Sequence, residues 1–102
     1  MKFNELKFAT RENGSIQARK NFCNGYSISI VAGEFLYSIP RENNESPAFF
    51  GAFEVAVFNE DNEFCTREFA NIYDDVIAYA DREEIELLMC CIENKFGPKY
   101  EK

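Results

Sequence analysis

The sequence predicts an α+β fold, with an antiparallel meander sheet of about five strands and one C-terminal helix packed on a face. Two Asn-Gly pairs predict the first strands, because each separates segments in which apolar and polar residues alternate. Apolar residues spaced by three and four positions after Asp81 predict the helix. The chain has 102 residues, 46% of them hydrophobic, which suits a single domain over residues 1–102.

The Asn-Gly turns also predict the pairing of the first three strands. A three-residue loop at 23–25 pairs Lys20 with Ile28 and Ala18 with Ile30, and this register places the apolar residues on one face. The same test favours a three-residue loop at the first Asn-Gly pair. The expected strands are Phe3–Thr10, Ser15–Phe22 and Tyr26–Val31.

The middle of the chain alternates between a clear loop and further strands. The run from Pro40 to Pro47 is polar and bounded by prolines, which predicts a surface loop. Phe49–Phe58 is apolar on both faces, which predicts a central strand covered on both sides. Glu63–Phe69 is expected to return as another strand. Val76–Tyr79 fits either one helical turn or a short extended segment.

The last element is predicted to be a helix that begins after Asp81. The spacing of Asp81 and Glu84 is that of a capping box, in which each side chain accepts a backbone N–H at the helix start. Gly97-Pro98 is expected to stop the helix. The predicted apolar stripe consists of Ile85, Leu88, Met89, Ile92 and Phe96.

The composition argues against several kinds of enzyme and metal site. The chain contains no His, which excludes Ser-His and Cys-His catalysis and His-ligated metals. The four cysteines lack the spacing of a zinc or redox motif, so we expect small core residues in a reducing compartment. The acidic clusters do not form a calcium-loop pattern. We therefore expect a protein that is not an enzyme, with no catalytic residues, no metal and no cofactor.

The charge is divided unevenly along the sequence. The net charge is −7, and residues 42–102 hold fifteen acidic and five basic residues, whereas residues 1–41 carry a net +3. An acidic domain repels nucleic acid and membrane surfaces, so we expect protein partners with a basic face, no direct nucleic-acid binding and no membrane contact. The acidic surface is either a mimic of nucleic acid or simply solvated, and the sequence leaves both open.

A non-catalytic binding surface is predicted around the loop from Pro40 to Pro47 and the acidic residues after it. Carboxylates there attract a basic partner, and nearby aromatic side chains anchor the contact. The candidate partner-binding residues are Tyr37, Glu42, Glu45, Phe49, Glu60, Asp61 and Glu63.

Three motifs resemble a group of small uncharacterised phage and prophage proteins. They are Asn24-Gly25-Tyr26-Ser27-Ile28-Ser29-Ile30, Gly51-Ala52-Phe53-Glu54-Val55-Ala56-Val57-Phe58 and Asp74-Asp75-Val76-Ile77-Ala78-Tyr79. The motifs occur in the same order over about residues 20–94, before a Glu-rich helix. This chain departs from the group in having Ala78 where the group usually has Gly, and in its long loop from Pro40 to Pro47. The group has no established catalytic residues to transfer.

The resemblance implies a phage-type accessory protein that binds and inhibits a host protein. The expected target is a component of bacterial antiviral defence, including its nucleic-acid-binding proteins, and the expected location is the cytoplasm of the bacterial host. The absence of a signal peptide and of an apolar run of about 18 residues agrees with that location. The alternative is a housekeeping interaction or structural protein with no inhibitory role. The sequence identifies neither the partner nor the oligomeric state.

Overall fold

A computed structural model describes residues 1–95, which form a five-stranded antiparallel sheet and one α-helix. The sheet order is β1-β2-β3-β4-β5, so each strand pairs with its neighbours in sequence, and the α+β meander is confirmed. The strands are β1 Ala9–Thr10, β2 Ile16–Asn21, β3 Ser27–Ala32, β4 Phe53–Phe58 and β5 Ile77–Ala80, and the helix is α1 Arg82–Glu93. Short 3-10 helices occur at Phe3–Glu5, Pro47–Phe49 and Thr66–Glu68.

The register of the second hairpin is the one that the sequence predicts. Lys20 lies opposite Ile28 and Ala18 opposite Ile30. Gly25 closes the turn with φ +91°, a left-handed conformation that side chains other than glycine rarely adopt. A Cβ on this residue would also lie 2.9 Å from the side chain that follows β4. Glycine is therefore required at this turn for two independent reasons.

The core lies between one face of the sheet and α1. The inward residues of β3 and β4 are fully buried, and the helix covers them with the stripe predicted from its spacing. Leu88 retains 8% exposure at the edge of this stripe. Helix α1 ends at Glu93, while Phe96 and Gly97-Pro98 lie outside the described residues. The central core side chains are Ile28, Ile30, Val55, Val57, Ile85, Met89 and Ile92.

Both ends of α1 are capped by side chains. At the start, Asp81 Oδ1 accepts the Glu84 N–H at 2.8 Å and Glu84 Oε1 accepts the Asp81 N–H at 3.3 Å, which confirms the capping box. At the other end, Asn24 Nδ2 donates to the carbonyl oxygens of Ile92 and Lys95, each at 2.8 Å. The turn between β2 and β3 thus supplies a further donor to two carbonyl groups at the C-terminal end of the helix.

The prediction of one strand over Phe3–Thr10 is wrong for most of its length. Only Ala9 and Thr10 pair with β2, and residues 3–5 form a 3-10 helix. The Phe3 ring is 8% exposed and packs 5.1 Å from the ring of Phe53, while the Phe3 N–H donates to Glu86 Oε2 at 2.6 Å. These contacts draw the first residues under the sheet and away from its edge.

The prediction of a strand at Glu63–Phe69 is also wrong. A single bridge joins Phe58 to Phe64, after which the chain forms a 3-10 helix. Thr66 Oγ1 accepts the Val57 N–H at 2.9 Å and donates to the Asp75 carbonyl at 2.6 Å. Hydrogen bonds of the Thr66 hydroxyl group therefore hold this segment beside β4 without strand pairing. The open choice at residues 76–79 is resolved in favour of an extended segment, since β5 begins at Ile77.

The second face of β4 is less covered than the sequence predicts. Glu54 and Phe58 are only half-buried there, while the residues on the core side are fully buried. The Arg19 guanidinium lies 4.6 Å from the centre of the Phe58 ring and shields part of this face. The prediction of a strand covered on both sides is therefore correct on the core face and correct in part on the other, where Ala56 is buried. No helix within residues 1–95 is long and apolar enough to cross a membrane.

Candidate functional site

The residues predicted to bind a partner lie at two opposite ends of the sheet. Glu42 and Glu45 belong to the loop that leaves the C-terminal end of β3. Glu60 belongs to the turn after β4, where its Cβ lies close to Gly25 at the other end of β3. The length of β3, about 20 Å at ~3.3 Å per residue, separates the two ends. The seven predicted residues therefore do not form one continuous surface.

Tyr37 lies at the same end as the loop from Pro40 to Pro47, and it contacts a tyrosine that the sequence analysis did not select. The ring centres of Tyr37 and Tyr79 are 6.0 Å apart at an angle of 62°, which is an edge-to-face contact. The two residues are 44% and 42% exposed. We call this pair, with Glu54 and Arg41, the Tyr37–Tyr79 site.

Backbone hydrogen bonds hold the Tyr37–Tyr79 site in place. The Tyr79 N–H donates to the Tyr37 carbonyl oxygen at 3.0 Å, and the Tyr37 N–H donates to Glu54 Oε1 at 3.1 Å. The Arg41 guanidinium lies 5.4 Å from the centre of the Tyr37 ring, within the range of a cation–π contact. The backbone of both tyrosines is thus fixed while their rings remain open to solvent.

Two further exposed apolar side chains lie within two residues of Tyr37 in the sequence. Phe35 is 77% exposed and Ile39 is 55% exposed. Ile39 is held by an antiparallel bridge to Ala52, just before β4. The segment from Phe35 to Ile39 therefore carries three exposed large apolar or aromatic side chains, at positions 35, 37 and 39.

Tyr79 has an unusual backbone conformation for an aromatic residue in a strand. Its φ is +57°, in the left-handed region that bulky residues rarely occupy. The pairing of β4 with β5 shifts register between Phe53 and Val55, and such a bulge redirects nearby side chains. Strained backbone of this kind is concentrated at functional sites, where the surrounding structure maintains it.

Phe49 occupies the same end of the sheet but does not join the tyrosine pair. It ends the 3-10 helix Pro47–Phe49, is 41% exposed and packs edge-on against Phe50 at 5.3 Å between ring centres. Arg82 donates to the Pro47 carbonyl oxygen at 2.9 Å and ties this short helix to the start of α1. Phe49 is therefore a second exposed aromatic side chain at this end of the sheet.

The acidic residues Glu60, Asp61 and Glu63 surround a tight turn at the opposite end. Asn59 Oδ1 accepts the N–H groups of Asp61 and Glu63, both at 2.9 Å, which explains the turn. Phe64 is 52% exposed beside this turn. The carboxylates here are separated from the Tyr37–Tyr79 site and form a second acidic surface with its own aromatic residue.

The expectation that the cysteines are core residues is correct only for Cys65. Its side chain is 6% exposed, and burial, with a further contribution from Glu68, raises the pKa of its thiol to about 11. Cys23, Cys90 and Cys91 are exposed, because one lies in the turn after β2 and two lie outside the buried stripe of α1. Within residues 1–95, no three Cys, Asp or Glu side chains are grouped so as to hold a metal ion.

The Tyr37–Tyr79 site offers ring edges, two phenol hydroxyls, a guanidinium near the Tyr37 ring and a carboxylate that accepts the Tyr37 N–H. Comparison of the chain with protein-family models, with curated proteins and with solved structures finds no match. No residue role can therefore be transferred to the site from a relative. Its own chemistry suits contact with a protein surface, since Tyr is enriched among residues that anchor interfaces and Arg can form charge-assisted hydrogen bonds.

Proposed function

We propose that this chain is a non-catalytic phage-type accessory protein that binds a host protein and inhibits it. The proposed target is a component of bacterial antiviral defence in the cytoplasm of the host. The observation that carries the proposal is the Tyr37–Tyr79 site, where two half-exposed tyrosines are fixed by backbone hydrogen bonds. The resemblance to small phage and prophage proteins supports the setting.

The fixed backbone at this site supports a binding role on energetic grounds. Association loses affinity when flexible side chains and loops must be ordered, and Tyr rings have only two rotatable side-chain bonds. The backbone at Tyr79 is already held in a conformation that costs of order 1–3 kcal/mol. A surface that is ordered before binding retains more of the interaction energy as affinity.

The charge distribution supports a partner with a basic face. Residues 42–95 hold fourteen acidic and three basic residues. Glu42 and Glu45 are exposed in the loop beside the Tyr37–Tyr79 site. Electrostatic attraction mainly raises the association rate, whereas desolvated aromatic anchors mainly slow dissociation. The proposed interface therefore combines a carboxylate rim with aromatic anchors.

A paired capture and inhibition experiment tests the proposal. The tagged chain and its Tyr37→Ala/Tyr79→Ala variant are used to capture proteins from bacterial lysate, and Tyr73→Ala is the control because Tyr73 is 99% exposed and lies outside the site. We expect one stoichiometric partner that the double variant loses and the control retains. We also expect the purified chain to reduce the activity of that partner.

Each other outcome of this experiment has a defined meaning. Equal capture by the double variant would place the interface elsewhere. Binding without loss of the partner's activity would favour the housekeeping alternative. Enzymatic activity of the chain itself on the captured partner would contradict the non-catalytic proposal.

Charge reversal at the two ends of the sheet separates local contact from general attraction. Glu42→Lys with Glu45→Lys should lower the association rate for the captured partner, while Phe49→Ala should raise its dissociation rate. Glu60→Lys with Asp61→Lys is the matched control, because it changes the net charge equally at the opposite end. The Debye length is about 8 Å at physiological ionic strength, shorter than the length of β3, so the control should affect association less.

A further inference from the structure

Strand β2 has an outer edge that is paired over only part of its length. β1 pairs with β2 at two positions, Ala9 with Gln17 and Thr10 with Ile16. Residues 18–21 of β2 pair with β3 on one side, and no strand within residues 1–95 pairs with them on the other. The 3-10 helix at the start of the chain leaves this edge open.

The hydrogen-bond pattern identifies the backbone groups at this edge. The Phe22 N–H donates to the Tyr26 carbonyl oxygen at 2.8 Å, so this pair is hydrogen-bonded. Hydrogen-bonded pairs alternate along antiparallel strands, so Lys20 bonds to β3 while Arg19 and Asn21 direct their N–H and C=O groups outward. Among residues 1–95, no backbone or side-chain group hydrogen-bonds to these outward groups.

The side chains along this edge are basic, although the protein is acidic overall. Lys20 forms no ion pair with any residue from 1 to 95, and neither does Arg19, whose guanidinium donates to Ser27 Oγ at 2.9 Å and to Asn62 Oδ1 at 2.8 Å. A second copy of the chain would present the same basic edge and be repelled. An acidic segment would instead be attracted, since opposite charges across a sheet edge stabilise pairing.

A cavity lies at the end of the same edge. It has a volume of about 330 Å³ and lies between the end of β2 and the C-terminal end of α1, with Lys20, Phe22 and Glu93 in its walls. Glu93 is paired with the N-terminal ammonium group at 3.1 Å, and Lys95, which also lines the cavity, is paired with Glu68 at 3.1 Å. The amino group of Lys20 is therefore the charged group of this wall that remains available to an acidic side chain.

We propose that an extended acidic segment of another protein adds to β2 as a further strand. Its backbone hydrogen-bonds to Arg19 and Asn21, and the carboxylate opposite Lys20 faces the amino group of that residue. Strand addition of this kind obtains affinity from main-chain hydrogen bonds and specificity from alternate side chains. This surface is separate from the Tyr37–Tyr79 site, and the inference goes beyond the proposed function.

The test uses a short capped peptide of alternating Glu and Val, with the same peptide carrying Lys for Glu as the control probe. Binding is followed by the backbone amide signals of the full chain in nuclear magnetic resonance spectra. We expect saturable shifts centred on Arg19 and Asn21 with the Glu peptide and none with the Lys peptide. Added salt should weaken the binding, because part of the attraction is electrostatic.

Two variants at one position isolate the backbone hydrogen bond. Asn21→Pro removes the outward N–H without removing a bond to β3, and proline is tolerated where a strand N–H faces outward. Asn21→Ala makes a similar truncation of the exposed side chain and retains the N–H. We expect the Pro variant to bind the Glu peptide about tenfold more weakly than the Ala variant, the loss for one hydrogen bond.

A second variant keeps the test decisive if the Pro variant fails to fold. Lys20→Glu should weaken the binding of the Glu peptide and allow the Lys peptide to bind. The inference is overturned by equal binding of the Pro and Ala variants, by shifts centred elsewhere, or by no saturable binding at about 1 mM peptide. Concentration-dependent shifts at this edge without peptide would assign it to a second copy and overturn the inference too. The Tyr37→Ala/Tyr79→Ala variant should bind the peptide normally, so this inference and the proposed function can fail separately.

Discussion

Replacing Tyr79 by glycine and by alanine should reverse the usual order of stability for these two residues in a strand. Tyr79 has φ +57°, whereas Ala78, the preceding residue of β5, does not have a positive φ. Alanine in the left-handed region retains the steric clash of its Cβ, and glycine does not. We therefore expect Tyr79→Gly to be more stable than Tyr79→Ala.

The magnitude follows from two opposing terms. The left-handed conformation costs roughly 1–2 kcal/mol for a residue with a Cβ. The advantage of glycine is reduced by about 0.4–1 kcal/mol, because an unfolded chain with glycine at this position has more conformational freedom to lose on folding. The loss of the tyrosine ring is common to both variants and cancels between them. The free energy of unfolding of Tyr79→Gly should therefore exceed that of Tyr79→Ala by about 0.8 kcal/mol, the difference between the midpoints of the two terms.

The assay is urea unfolding followed by circular dichroism. Ala78→Gly is the matched control, since glycine at an ordinary strand position should lower the free energy of unfolding by about 0.5–1 kcal/mol relative to alanine. The two positions should thus respond with opposite sign. A Tyr79→Gly variant that is no more stable than Tyr79→Ala would refute the left-handed conformation and, with it, the argument for strain at this site.

Three further predictions concern the core, the buried thiol and the helix cap. Leu88→Ala should lower the free energy of unfolding by about 2–5 kcal/mol, whereas Leu87→Ala, at a 64% exposed position of the same helix, should change it by less than about 0.5 kcal/mol in the same urea assay. The pKa of the Cys65 thiol is raised from 9.0 to about 11, so the folded state retains a proton that the unfolded state loses between these pH values. The free energy of unfolding should therefore fall between pH 9 and pH 11, and it should fall less in the Cys65→Ala variant. An equal fall in both proteins would contradict this prediction. Asn24→Ala should lower the free energy of unfolding by about 1–3 kcal/mol and should speed amide hydrogen exchange in the last turn of α1 before it does so elsewhere in the helix. Unchanged exchange in that turn would show that the Asn24 side chain does not stabilise the helix end.

The parts of the fold that the sequence predicts are those determined by neighbouring residues. The register of β2 and β3 depends on a left-handed Gly25 within a three-residue loop, and the start of α1 depends on two side chains three positions apart. The two wrong strands depend on distant contacts instead. Phe3 is drawn inward by residues on β4 and α1, and Thr66 bonds to the backbone of β4. No local pattern around these residues indicates such partners.

The candidate site likewise has parts that neighbouring residues predict and parts that depend on distant contacts. The exposure of Tyr37 and Phe49 follows from their positions beside a polar, proline-bounded loop. Tyr79 was missed because its contact with Tyr37 depends on a bulge in the pairing of β4 and β5. The separation of Glu42 from Glu60 was available in principle, because consecutive loops of a meander alternate between the two ends of a sheet. The separation of these two glutamates could therefore be inferred from the predicted topology alone.

The contact between the first and last elements of the chain bears on how the protein is completed during synthesis. The sheet pairs only strands that are adjacent in sequence, so β1 to β4 have the local contacts that favour rapid assembly as they leave the ribosome. The Phe3 N–H, however, finds its acceptor on Glu86, 83 residues later. Until α1 emerges, only the N-terminal segment can cover the inward face of β3 and β4, and the nascent chain exposes part of its aggregation-prone apolar surface. The helix is therefore the element that completes the burial of this surface.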